Sequence, residues 1–278
     1  MKRTLPLTLS ILFLALFIYH SILHPLLRPY VNLPGLPGGL TVSTLLLMLF
    51  SFFHAWYALG VRSTLVFFAL SATISWAFEQ VGVATGLVYG PYHYTDALGA
   101  KLGHVPLLIP IAWFMMIYPS YVIANLIAGE PPAGSRGSLG RIAWLAFLSA
   151  MVMTAWDLVV DPVLTSPPFV AWVWQQGGPY FGVPVQNFAG WMLTTFTVYL
   201  VYRLYERRVS IHTPSPVSVG SAVLPLLAYT AMLLANLLTR VQPALWVIGP
   251  FVMGLPVAAA ANQIKRWKDE LSGRHFDL

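Results

Sequence analysis

The segment that decides the fold reads W-D-L-V-V-D-P-V-L at residues 156–164, W-V-W-Q-Q-G-G at 172–178 and Y-F-G-V-P-V-Q-N-F-A-G-W at 180–191. The 278 residues include nine carboxylates, and two of them, Asp157 and Asp161, sit here inside an apolar run. Spaced four apart, they share one face of a helix. A carboxylate at membrane depth is expensive to bury and is by default a candidate for function.

The rest of the chain has the composition of a membrane protein. Hydrophobic residues make up 58% and charged residues 9%, against roughly 25% charged in a soluble domain. So few charges cannot cover a water-facing surface. The predicted fold class is all-α: a polytopic bundle of about eight transmembrane helices, forming one transmembrane domain over residues 1–278. A span needs about 20 apolar residues, and the candidates run 5–27, 40–59, 64–85, 105–128, 142–164, 188–205, 217–238 and 243–263. The first follows M-K-R, but its apolar run is too long for a signal-peptide core, so it reads as a span. The lack of cysteine excludes a disulfide framework, a thiolate nucleophile and a cysteine zinc site.

The net charge of +6 does not point to nucleic acid, because the basic residues fall between spans and form no patch with aromatics. With a cytoplasmic N-terminus, Lys2, Arg3, Arg62, Arg136, Arg141, Arg203, Arg207, Arg208, Lys265, Arg266, Lys268 and Arg274 lie inside, and Arg28, Lys101 and Arg240 outside. This asymmetry predicts a multi-pass protein of the plasma membrane with both termini cytoplasmic. Glu79, Asp96, Asp157 and Asp161 then gather toward the outer side, while Glu130, Glu206, Asp269, Glu270 and Asp277 lie inside among basic neighbours. The outer loops 88–99 and 167–187 are rich in Gly, Pro, Tyr and Trp and nearly uncharged. They are predicted to fold back on the bundle as a cap over an apolar pocket.

Each candidate residue has two readings. Asp157, the deeper of the pair, suits an acid kept neutral by an apolar surrounding. Asp161 precedes Pro162, which disfavours helix at 161 and predicts that the span ends there, with Asp161 as a cap. Glu79 suits an acid, a base or a hydrogen-bond anchor, or alternatively an ion-pair partner. Tyr89, Tyr92, His93 and Tyr94 crowd one loop, and Trp113, Trp156, Trp172, Trp174 and Trp191 flank it. They are candidate substrate-binding walls, or else an interfacial belt. Asn187 follows Pro184 and is either a helix N-cap or an amide that holds water. The D-x-x-x-D spacing is similar to the magnesium-diphosphate motifs of membrane prenyltransferases. No second Asp-rich stretch exists, and the outer side is nearly free of the Lys and Arg that would hold a diphosphate. No metal and no cofactor are expected, since phosphate loops, zinc helices and dinucleotide fingerprints are also missing.

E-Q-V-G-V-A-T-G-L-V-Y-G-P-Y-H-Y-T-D-A-L-G at 79–99, together with the W-D-L-V-V-D-P-V, W-V-W and Y-F-G-V-P-V-Q-N-F-A-G-W motifs, resembles the CruF-type membrane carotenoid hydratases of the carotenoid biosynthesis protein family. The likeness covers residues 76–191 by motif and the flanking spans by hydropathy. It implies addition of water across the terminal C1–C2 double bond of an acyclic ψ-end, giving a tertiary alcohol without a redox cofactor. The implied partners are an acyclic or monocyclic carotenoid and membrane lipid.

That chemistry needs an acid able to protonate carbon, a group to hold water, and aromatic faces for a cation. Our sequence-based expectation makes Asp157 the donor, with Glu79 or Asp161 orienting the water and Tyr89, Tyr94, Trp156 and Asn187 in support. A cyclase would share the protonation step, and a membrane carrier or transporter would share the apolar pocket. Both alternatives stay open at this point.

Overall fold

A computed structural model describes residues 4–134, 137–209 and 217–273. Lys2, Arg3, Arg136, Arg274 and Asp277, used above for sidedness, lie outside the described residues. The described chain forms a helical bundle: α1 (Thr4–Leu27), α2 (Gly39–Leu59), α3 (Val61–Thr85), α4 (Leu108–Ile127), α5 (Leu139–Leu164), α6 (Val185–Arg208), α7 (Val219–Leu238) and α8 (Leu245–Glu270). All but α6 are long and apolar enough to cross a membrane. α6 is as long, but it carries Arg203, Glu206, Arg207 and Arg208 toward its end.

α4 is the axis of the bundle. Every residue from Trp113 to Leu126 is buried, and α2, α3, α5, α7 and α8 pack around it. Its sequence accounts for this, since a helix that is apolar on all sides belongs in a core. α4 starts later than expected. Val105–Pro106 forms a short strand, β3, paired with β2 (Lys101–Leu102), so the helix begins at Leu108.

α5 ends at Leu164, as the predicted span 142–164 does, but not at Asp161 as Pro162 suggested. It continues through Pro162 to Leu164, and Asp161 stays inside the helix. Pro162 has no N–H to give to the carbonyl of Leu158. The Tyr180 hydroxyl donates to that carbonyl at 2.9 Å instead. α4 handles Pro119 in the same way: the freed carbonyl of Met115 accepts from Ser51 Oγ at 2.7 Å. In both α4 and α5 the carbonyl orphaned by the proline is therefore satisfied from another segment, which is the condition for burying such a helix.

The two uncharged loops do form a cap. β1 (Tyr92–Tyr94) in the α3–α4 loop pairs antiparallel with β4 (Trp172–Trp174) in the α5–α6 loop. Tyr92 lies opposite Trp174, and Tyr94 opposite Trp172. The ribbon thus ties together the ends of four helices.

The other end of the bundle corrects the sequence reading. Arg203 and Glu206 were placed among water-facing charges, yet both are buried. Arg203 Nη2 donates to Asn125 Oδ1 and Ser149 Oγ, each at 2.9 Å. Its guanidinium lies 4.4 Å from the centre of the Tyr121 ring, and the Tyr121 hydroxyl donates to Glu206 at 2.7 Å. Hydrogen bonds and a π-face replace the water that these charges lose.

Two measurements test this description. Tyr180→Phe leaves the Leu158 carbonyl unpaired and is expected to destabilise the protein by about 1 kcal/mol, read as a lower unfolding temperature in detergent. The sidedness drawn from the basic residues is tested with single cysteines on the cysteine-free background. Asp96→Cys and Gln176→Cys should react with an impermeant thiol reagent from outside intact cells. Labelling of both only after the inner face is opened would reverse the orientation.

Candidate functional site

A cavity of about 540 Å³ lies beneath the ribbon. Two carboxylates line it, Glu79 from α3 and Asp161 from α5. Both are buried, at 4% and 1% exposure.

Strand alternation supplies their partners. In Y-H-Y, Tyr92 and Tyr94 face inward and His93 faces out. The Tyr92 and Tyr94 hydroxyls both donate to Glu79 Oε2, Tyr94 at 2.8 Å. Burial first, then the nearby Glu79 charge, raises both phenols well above their ordinary range. They therefore remain proton-bearing donors. In W-V-W, the same alternation puts Trp172 and Trp174 on one face, and their indole N–H groups donate to Asp161 Oδ1 at 2.8 and 3.4 Å. The cross-strand register brings the Tyr92 ring 5.0 Å from Trp174 and the Tyr94 ring 6.0 Å from Trp172.

Asn187 joins the two aspartates. Its Nδ2 donates to Asp157 Oδ2 at 2.8 Å and to Asp161 Oδ2 at 2.6 Å. The N-cap position of α6 belongs to Pro184, so Asn187 is not the cap, and its amide N–H groups go to the two carboxylates. Asp157 itself is fully buried and does not line the cavity. Its Oδ1 has no hydrogen-bond partner.

The remaining candidates fall into place around this core. Trp113 stacks on Trp191 with centroids 4.2 Å apart and planes 11° apart, and Trp156 meets Trp191 edge-on at 5.7 Å. These three indoles form an aromatic wall of the cavity. Tyr89 contributes its ring to the wall, while its hydroxyl is taken by Thr194 Oγ1 at 2.8 Å. His93 is the exception. It is exposed and does not line the cavity, because alternation turns it to the opposite face of β1.

Some lining residues escaped the sequence reading. His20, Ser21, Ser43 and Asn236 come from α1, α2 and α7, where no motif marks them. Among the described residues, no three His, Asp or Glu side chains converge as a metal ion would require.

Taken together, fold and site define a class: a membrane helical bundle with a capped, aromatic cavity into which two hydrogen-bonded carboxylates project. Sequence comparison names the family. The profile of the carotenoid biosynthesis protein family matches residues 39–260, and the chain belongs to that family. It is also similar to the bisanhydrobacterioruberin hydratase of Haloarcula japonica, 32% identical over 129 residues. That alignment covers 46% of this chain and 41% of the relative, so the chain spans less than half of that protein's length. No solved structure matches the chain.

The wall depends on close approach at Gly190. A Cβ there would lie 2.5 Å from the Val88 carbonyl oxygen and 2.6 Å from the Tyr89 ring. Gly190→Ala must therefore push α6 away from the cap. The expected result is a loss of about 1–3 kcal/mol from overpacking, measured by thermal unfolding. A variant as stable as the parent would show that Tyr89 is not held in this gap.

Proposed function

We propose that the chain is a carotenoid hydratase that adds water across the terminal C1–C2 double bond of an acyclic ψ-end, giving a tertiary alcohol. Family membership and the partial likeness to a named hydratase support this reading. The observation that carries it is the pair of differently solvated carboxyl groups, Asp161 and Glu79, facing one apolar aromatic cavity.

The chemistry follows from those settings. The reaction starts from a protonated carboxyl at Asp161. Its proton passes to C2, leaving a tertiary cation at C1. Negative charge then develops on Asp161, where the N–H groups of Trp172, Trp174 and Asn187 already point. Hydrogen bonds that strengthen as charge develops lower the barrier. The indole faces of Trp113, Trp156 and Trp191 stabilise the cation. Glu79, fixed as an acceptor by two phenols, holds the water that attacks C1 and takes its proton. The proton then returns to the aspartates, and the sum is alkene plus water giving alcohol. Because that sum is redox-neutral, the reaction calls for no nicotinamide, flavin or haem. The substrate class is an acyclic or monocyclic carotenoid bearing a free ψ-end.

Membranes from a host that makes such a carotenoid, expressing this chain, should convert it anaerobically in oxygen-18 water. The expected product is a tertiary alcohol that carries oxygen-18. An unlabelled hydroxyl would overturn the reading in favour of an oxygenase, and a ring-bearing product in favour of a cyclase.

A further inference from the structure

We infer that Asp157 and Asn187 are positioning residues: Asp157, which does not line the cavity, orients the Asn187 amide, and that amide holds Asp161. The inference rests on the hydratase reading above and assigns roles within the same site. From sequence alone, Asp157 was the expected donor. In the structure it lies behind the cavity wall, and Asp161 stands at the wall.

The geometry makes a chain of dependence. A side-chain amide has one nitrogen with two protons, and Asn187 directs both at carboxylate oxygens, one on each aspartate. Asp157 therefore decides which way the amide faces. With the amide reversed, the Asn187 carbonyl would meet two carboxylates and repel any negative charge on them. With the amide as found, its N–H supports Asp161 Oδ2 while the two indoles support Oδ1. Asp161 is thus held from three directions, and the hold at Oδ2 is set from outside the cavity. Among the described residues, Asn187 is the side-chain donor to Asp157, and the other carboxylate oxygen of Asp157 is buried without a hydrogen-bond partner.

The test compares Asp157→Asn, Asp157→Leu, Asn187→Leu, Asp161→Asn and the double variant Asp157→Leu with Asn187→Leu. Asp161→Asn should lose about 10²–10⁴-fold in kcat, the usual loss of a positioned general acid. Asp157→Asn keeps a carbonyl that can accept from Asn187 and should stay within about tenfold of the parent. Asp157→Leu and Asn187→Leu should each lower kcat by roughly 10–100-fold, with KM little changed, because a slightly misplaced acid loses rate and not binding. The double variant should be no slower than Asn187→Leu alone, since both substitutions cut the same link.

Rates are compared at equal amounts of membrane protein, with carotenoid binding checked by the visible spectrum. If a leucine variant fails to accumulate, Asp157→Asn against Asp161→Asn still decides. An Asp157→Asn loss as deep as that of Asp161→Asn would make Asp157 the donor and overturn the inference. Independent, multiplying losses in the double variant would overturn it as well. Both outcomes leave the hydratase reading intact provided the parent makes the labelled tertiary alcohol. A parent that makes none removes that reading, and this inference with it.

Discussion

Four hydrogen-bond donors on one face of a two-stranded ribbon hold the two cavity carboxylates in place. Tyr92 and Tyr94 reach Glu79, and Trp172 and Trp174 reach Asp161. A buried carboxylate without donors is very costly, and helices alone have no backbone N–H to offer it in mid-span. The ribbon solves this from outside the bundle. Because its register sets Tyr92 against Trp174 and Tyr94 against Trp172, pairing of the loops and solvation of the acids form together. A one-residue slip of the register would put Val173 on the face of the tyrosines, or His93 on the face of the tryptophans, and remove two of the four donors.

The helices beneath accept similar help from their neighbours. Pro119 and Pro162 each free a carbonyl inside a buried helix, and Ser51 and Tyr180 satisfy those carbonyls. Tyr180 lies in the same loop as β4, so the segment that brings donors to Asp161 also repairs the turn of α5 that carries it. At the opposite end, Arg203 binds α6 to α4 and α5 through Asn125 and Ser149. The bundle thus has two buried polar ends and an apolar middle. Only the end beneath the ribbon opens onto the cavity.

Much of this was legible in the residues. Low charge and eight apolar runs gave the bundle, and two uncharged aromatic loops gave the cap. Acids in apolar surroundings marked Glu79, Asp157 and Asp161. The features that escaped depend on three-dimensional partners. Pro162 argues locally for a helix end at Asp161, and only the Tyr180 hydroxyl, 22 residues away in sequence, lets the helix continue. Arg203 and Glu206 look like members of a basic helix terminus, and only the packing of α4 and α5 shows them buried. His93 shares a crowded aromatic loop with the true wall residues, and a strand of three residues is too short to reveal its period from sequence. Asp157 is the deeper of the two aspartates, as its place in the span suggested, but it is Asp161 that lines the cavity. Position along a span does not say which way a helix faces once a loop has folded over its end.

On the hydratase reading, the same donors bear on selectivity as well as on rate. A tertiary cation beside a carboxylate can collapse onto it as an ester, and that would stop turnover. Asp161 presents a poor nucleophile, because Oδ1 receives two indole N–H groups and Oδ2 receives the Asn187 amide. Glu79 Oε2 is likewise engaged by two phenols. The nearest walls offer indole faces, which stabilise positive charge and bond to it weakly, and the chain has no thiol. Water held at Glu79 is then the strongest nucleophile within reach of C1. The cap limits how much other water arrives, so the acid meets the alkene in a medium where its proton is not lost to bulk solvent. On the hydratase reading the ribbon's hydrogen bonds would thus perform three tasks with the same atoms: they make burial of the acids tolerable, and they would stabilise the charge that proton transfer leaves and keep that charge from capturing the cation.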